Sequence, residues 1–376
     1  MDVRASIPVE DDRDGRTGSY LDTLVRVGGL LEQIRARSGH LTRTWDRSST
    51  EVLEVVVEDC PAPAAEHLVR LLSREHDRVD AEVLAPGSVP GLRPPLWNSG
   101  FGGEGLAPLS GRLAAAATPV VLELARRRSE VPGPSGTGAE DALRVMVAHT
   151  ASTLASSPSL ELDGHDVASL LPLRLLSYRS HFEAVVLRTP DPVAFERACS
   201  GFYDSHGSIA LEAVAAAASG LVPHVDGPAA SWSAMVTDSR EDVASALRSG
   251  AVVDESRTVE DLERDLGRSV APTRFHAPPT PHMRRLLHDD LDFLVHRLQT
   301  SVLYGALFTA GHSLPERWLY CYVVARAAEE FAGADMLELQ ERLDGVARRL
   351  ADTSSAVVPE RSGRPTPISE RTARVH

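Results

Sequence analysis

Lysine is missing from this 376-residue chain; all 39 basic residues are arginine. Without lysine there is no Walker A loop to hold nucleotide phosphates and no Schiff base for pyridoxal phosphate. Asparagine is almost missing too, Asn98 being the single example, and a GC-rich genome that replaces Lys with Arg accounts for such a bias. Cysteine is scarce: Cys60, Cys199 and Cys321 lie far apart, with no CxxC pair and no Cys/His cluster. Reduced, buried thiols are therefore expected in place of disulfides or a zinc site. No stretch approaches the ~18 apolar residues of a membrane span, and the opening MDVRASIPVEDDRDGRTGS is acidic and polar, unlike an export signal. Positive charge is in the minority, with 53 acidic residues and a net charge of −14, which argues against a general nucleic-acid surface.

What is present is enough apolar material, 43%, for a sizeable core. A soluble, cytoplasmic protein that works without cofactor, nucleotide or metal is the expectation. Local arginine clusters at Arg126-Arg127-Arg128, Arg284-Arg285 and Arg348-Arg349 fit solvated helix faces, or holders of an acidic peptide.

Residues 1–18 and 353–376 are polar and aperiodic and are expected to be disordered ends. Leu21, Leu24, Val25, Leu30, Leu31 and Ile34 fall at helical spacing, so a helix is expected over 20–37 despite Gly28-Gly29. EVLEVVVEDC (51–60) reads as a strand, 61–77 as a helix with proline near its start, and 79–86 as a second strand, making a β-α-β unit. A similar alternation is expected later: strand 182–189, helix 191–205, strand 231–238, helix 240–250. Residues 282–351 read as two or three helices. The fold class expected is α+β, with β-α-β units in a mixed or antiparallel sheet packed against a helical C-terminal part. One body over 19–352 is expected, with a possible subdivision at the linker 131–141. The Pro/Gly-rich stretch 86–105, carrying Trp97, is long enough to be functional; its GFGGEG follows a Pro-rich loop, not a strand, so it is no dinucleotide fingerprint.

Three constellations carry chemistry. GFYDSHGS (201–208) gathers Tyr203, Ser205 and His206 at an expected helix end, as a proton-transfer group or as a capped helix terminus. HDDLDFLVHRLQTSVLYG (288–305) repeats His288, Asp292 and His296 every four residues, with Arg297, Ser301 and Tyr304 one or two turns on. That His-Asp-His series fits a polar helix face or a metal site, and it lacks an evident fourth ligand. LSYRSHFE (176–183) places Tyr178 and His181 just before an expected strand, as a cleft lining or as a satisfied turn.

The run DFLVHRLQTSVLYGALFTAGHSLPERWLYCYVVARAAEEF resembles the terminal helices of the SpaB C-terminal type, found at the end of lantibiotic dehydratases and as stand-alone proteins of thiopeptide biosynthesis. Glutamate-eliminating members carry a His two residues before an Asn-Arg pair and a Glu on the next helix. Arg297 and Glu316 match that pattern, whereas His296 stands at the Asn position and Leu294 at the His position. The departure resembles the stand-alone pyridine synthases. What this implies is a cofactor-free joining of two dehydroalanines of a thiazole-bearing precursor peptide into a pyridine, with loss of water and of the leader peptide. Under that resemblance Tyr304 and His206 are expected to move protons, Ser301, Ser205 and Tyr203 to donate hydrogen bonds, and Arg297, His296, Trp97, Tyr178 and His181 to hold substrate. The partner would be the modified precursor with its leader, with no nucleic acid or membrane; a homodimer is possible. The competing readings are a glutamate-eliminating lyase using Arg297, His296 and Glu316, and a non-catalytic precursor-binding protein.

Overall fold

The computed structural model describes residues 1–9, 17–34, 38–45, 50–75, 79–85, 100–130, 138–157, 166–220, 227–255, 263–264, 267, 269 and 279–357. Trp97, the segment 131–137 and the end beyond 357 lie outside these residues.

β-branched, valine-rich sequence builds a four-stranded sheet from β1 (Asp2–Pro8), β2 (Ser38–Trp45), β3 (Glu51–Glu58) and β4 (Asp80–Leu84), in the order β2-β3-β1-β4. Every pairing in it is antiparallel. The pairs Val3↔Val57, Ala5↔Val55 and Ile7↔Leu53 put alternate side chains of both strands into the main core, each at most 2% exposed. On the opposite face the Arg4 guanidinium meets the Glu54 carboxylate at 2.6 Å. The register thus follows from alternation of period two.

Two helices, α1 (Thr17–Gln33) and α2 (Ala62–Glu75), accompany the sheet. The β-α-β unit expected over 51–86 is present as β3-α2-β4, but β1 lies between its strands. Residues 2–8 are therefore a central strand and not part of a disordered end. Their apolar alternation Val3, Ala5, Ile7 is buried by both neighbours, a stabilisation of roughly 1.5–3 kcal/mol for each large side chain.

Helices follow: α3 (Leu106–Glu130), α4 (Gly138–Ala155), α5 (Val167–Val186), α6 (Pro192–Ala218), α7 (Pro228–Arg248), α8 (Pro281–His288), α9 (Leu291–Thr309), α10 (Leu314–Ala332) and α11 (Met336–Val357). A two-residue ribbon, β5 (Phe101–Gly102) with β6 (Val253–Asp254), sits apart from the main sheet. The architecture is α+β.

Two expected strands are helices. Residues 182–186 end α5, and 231–238 lie inside α7, where Trp232, Met235 and Val236 are buried at helical spacing. A 3.6-residue burial period overrides the strand propensity of Phe, Val and Trp. Residues 201–208 are not a helix end either, because an alanine-rich continuation carries α6 on to Ala218. The last segment holds four helices instead of two or three, since Asp289-Asp290 separates α8 from α9 and Asp290 caps the latter through the Phe293 amide. At its far end α11 takes in residues 353–357 of the expected tail. No described helix is long and apolar enough to cross a membrane.

Candidate active site

Helices α5 and α9 are bridged by polar side chains. Along α5, Arg174, Ser177 and His181 share a stripe at i, i+3 and i+7, and they meet α9 in the same order. The Arg174 guanidinium lies 4.8 Å above the Phe293 ring, Ser177 Oγ is 3.5 Å from His296 Nε2, and His181 Nδ1 is 2.6 Å from the Tyr304 hydroxyl. The series runs from the interior outward: His296 is 1% exposed, Tyr304 4%, while His181 is exposed.

Tyr304 is the best supported group. Its ring carries the Arg317 guanidinium at 4.7 Å, a contribution of helix α10, and packs edge-on to His181 at 5.0 Å. Cys321 Sγ lies 3.5 Å from the hydroxyl. Burial, with Cys321 and Tyr178 nearby, holds the phenol well above its ordinary pKa, outweighing the opposing field of Arg317. Tyr304 therefore stays neutral and keeps its proton, at the end of the stripe that reaches the surface.

Behind it stands a buried polar support. The Trp232 indole donates to His149 Nδ1 at 3.2 Å, and His149 Nε2 lies 3.0 Å from Thr300 Oγ1. His149 and His296 stack with centroids 5.3 Å apart. Burial pushes the His149 pKa down to about 3 and that of His296 well below its ordinary value, with Arg174 adding to the latter. Both rings are neutral. Tyr178 belongs to this support: it is completely buried and donates to the Met146 carbonyl at 2.9 Å. Tyr178 and His296, expected to hold substrate, are buried, as is Tyr304; of these and His181 only His181 is exposed.

On another side of α9, Ser301 lines a cleft of about 550 Å³, solvent space included, between β2, α3 and α9. Its walls are small and apolar, among them Ala114, Ala117, Gly305 and Ala306. Thr42 lines it too, and its Oγ1 is buried without a hydrogen-bond partner among the described residues. The free edge of β2 is occupied here, because the Leu41 and Arg43 amides donate to the hydroxyls of Thr118 (3.3 Å) and Thr309 (3.0 Å). The cleft accordingly offers hydroxyls and apolar walls, not a strand edge to extend.

Other expected site residues lie elsewhere. Arg297 forms a two-pronged pair with Asp254 (3.2 Å and 3.2 Å) beneath the Phe101 ring, fastening the β5-β6 ribbon to α9. The α6 group is not brought to Tyr304: His206 stacks on Phe202 at 4.1 Å, Tyr203 donates to Glu330 at 2.6 Å, and Ser205 donates to the Gly201 carbonyl. Helix geometry sets Ser205 on the side opposite Tyr203, while Tyr203 and His206, at i and i+3, are each taken up by a different partner, where a turn would have gathered all three. The His288, Asp292 and His296 series is divided between two helices. His288 contacts Asp254, Asp292 pairs with Arg240 and Ser157, and His296 faces Thr153. Among the described residues no group of three or more His, Cys, Asp or Glu is placed to hold a metal. Arg317 escaped sequence reading altogether. Its signal was the Ser313-x-x-Glu316 capping box, which fixes the start of α10 and so the face that Arg317 presents.

No family model matches the chain, and no curated protein matches it. Solved structures do. TsrL superposes with a TM-score of 0.62 at 16% identity, over 90% of this chain and 97% of that one. The pyridine synthase TbtD from thiomuracin biosynthesis gives 0.53 at 18% identity, over 89% and 99%. The tRNA dependent lantibiotic dehydratase MibB from Microbispora sp. 107891 superposes more loosely, at 0.41 and 11%, over 88% of this chain and 28% of that one. The chain thus has, over nearly its whole length, the fold of TsrL and of the pyridine synthase TbtD.

Proposed function

We propose that the protein is an enzyme of thiopeptide biosynthesis that closes a pyridine from two dehydroalanines of a thiazole-bearing precursor peptide, with loss of water and of the leader as an amide. The observation that carries this reading is the neutral Tyr304 hydroxyl paired with exposed His181 under the Arg317 cation. The reaction needs geometry before chemistry: two alkenes of one chain held in reacting position turn a loop closure into a preorganised step. It then needs hydrogen-bond donation to a developing iminol and modest acid-base help for dehydration. A phenol that burial holds neutral, next to an imidazole open to solvent, supplies both, and the cleft beside Ser301 can seat a flat apolar arm of the substrate.

The same geometry weighs against glutamate elimination. Arg297 is held by Asp254, His296 is buried against Thr153, and Glu316 is taken up by its helix cap and by Arg128 at 2.8 Å. The three residues that reading requires point to three different places.

Incubating the purified protein with a dehydroalanine-rich, thiazole-bearing peptide on its leader tests the proposal by mass spectrometry. Release of the leader as an amide, with a core lighter by that leader and one water, is the expected result. An unchanged peptide that co-elutes with the protein would leave the binding-protein reading in its place.

A further inference from the structure

Hydrogen-bond direction fixes the tautomer of His296. Thr153 Oγ1 donates to the Thr150 carbonyl at 2.9 Å, so at 3.0 Å from His296 Nδ1 it accepts, and the ring proton sits on Nδ1. His149 obeys the same logic on the next turn: it accepts from Trp232 at Nδ1 and donates from Nε2 to Thr300, whose own proton goes to the His296 carbonyl at 2.7 Å. His296 Nε2 is left as a bare acceptor, and it faces Ser177 Oγ at 3.5 Å. That is the long limit of a hydrogen bond, whereas every other contact of this network is held tighter. A buried acceptor so loosely met costs free energy unless the hydroxyl closes on it.

Ser177 is half-buried and lies one turn before exposed His181 on the same stripe of α5. Its neighbours toward the interior are Arg174, half-buried, and His296, buried; its neighbour outward is the partner of Tyr304.

We propose that Ser177 is the second hydroxyl of the substrate site: its proton turns to His296 Nε2, and its Oγ lone pairs accept an N–H of the bound peptide. The assignment rests on the function proposed above. Ser177 and Tyr304 then differ in kind. Ser177, its hydrogen committed inward, is an acceptor; Tyr304, a neutral phenol, becomes a donor to the peptide once the peptide displaces its contact with His181. An amide that must be held for tautomerisation presents one N–H and one carbonyl oxygen, and these two side chains match that pair. His296 acts through Ser177 as a positioning residue, and burial, which keeps its ring neutral, leaves Nε2 free to accept.

Wild type, Ser177→Ala and Ser177→Thr are compared on the leader-bearing dehydroalanine peptide, following pyridine release by mass spectrometry and leader affinity by fluorescence anisotropy. Ser177→Ala is expected to lower kcat about tenfold or more, the worth of one hydrogen bond at the reacting group, with leader affinity unchanged and a melting temperature lowered modestly by the loss of the contact to His296 Nε2. Ser177→Thr, which keeps the hydroxyl, should stay within about threefold of wild type. Ser177→Ala at the wild-type rate, or Ser177→Thr as slow as Ser177→Ala, overturns the assignment while pyridine formation by the wild type stands. No pyridine from the wild type overturns both. A readout independent of turnover is the ¹⁵N resonance of His296 Nε2: adding the peptide should shift it in wild type and leave it in place in Ser177→Ala, and an unmoved wild-type resonance also counts against the proposal.

Discussion

The Tyr304 hydroxyl and His181 Nδ1, 123 residues apart in sequence, meet at 2.6 Å where helices α9 and α5 reach the surface. Tyr304→Phe removes this contact and the hydroxyl's approach to Cys321 Sγ at 3.5 Å, while the ring stays packed against His181 and under Arg317. Turnover should fall by roughly a hundredfold, the lower range for loss of one positioned proton-transfer group. Stability should change by no more than about 1 kcal/mol. Pyridine yield against time, set beside a thermal melt, separates the two; an unchanged rate would remove Tyr304 from the site.

Arg317 tests the cation above that ring. Replacing it with Met keeps the length of the side chain and removes its charge, so the phenol loses a field that favours its ionised form. Turnover should drop several-fold, and Arg317→Lys should not fully restore it, since a planar guanidinium stacks where an ammonium cannot. Full rescue by Lys would mean that only net charge matters.

Arg297 and Asp254 form a pair that is mostly buried, at 24% and 13% side-chain exposure. Removing Arg297 leaves Asp254 with His288 as its remaining side-chain contact, so Arg297→Met should destabilise by on the order of 1–2 kcal/mol and loosen the β5-β6 ribbon. Joint replacement with Asp254→Asn should recover part of the loss. A double-mutant cycle in urea measures that coupling; a coupling near zero would show that the ribbon is fixed by the Phe101 packing and the His288–Asp254 contact without the ion pair.

Much of the fold was legible in the sequence because its pattern was local. Alternating valines marked β3, a proline and an amphipathic run marked α2, and helical spacing marked α1. β1 was not legible, since its strand value depends on pairing with β3 and β4, which lie far along the chain. At the site, the α9 residues were readable as a helical stripe, and Tyr304 and His181 were both singled out. Their meeting was not, because residues 182–189 read as a strand, and a strand there would have sent His181 to another face. Conversely, the density of Tyr203, Ser205 and His206 suggested a site, but a continuous helix directs them apart.

Glu316 separates the two enzymatic readings. Its carboxylate accepts from the Ser313 amide at 2.7 Å and pairs with Arg128 at 2.8 Å, while His312 Nδ1 lies 2.8 Å from the same arginine. Arg128, ahead of its other partners, holds the Glu316 pKa below its ordinary value against the effect of burial. Glu316→Gln should cost about 1–2 kcal/mol through the cap and the ion pair, with pyridine formation retained. Loss of activity without loss of stability would instead point to a catalytic carboxylate and revive the elimination reading.

Buried neutral histidines set the acid limit of the fold. Burial lowers His149 to about 3 and His40 to about 4, against an ordinary value near 6.5. A depressed folded value means that the unfolded chain binds more protons, so the stability these rings contribute is present above pH 6.5 and is lost as pH falls toward 4 and 3. At pH 5 each ring should have given up as much as about 2 kcal/mol, from 1.36 kcal/mol per unit over 1.5 units. The melting temperature should therefore decline between pH 6.5 and 4, before most carboxylates titrate. His149→Gln, which keeps donor and acceptor but has no proton to gain, should shallow that decline while lowering the plateau. A melting temperature flat down to pH 4.5 in the wild type would mean that these rings take up protons without opening the core.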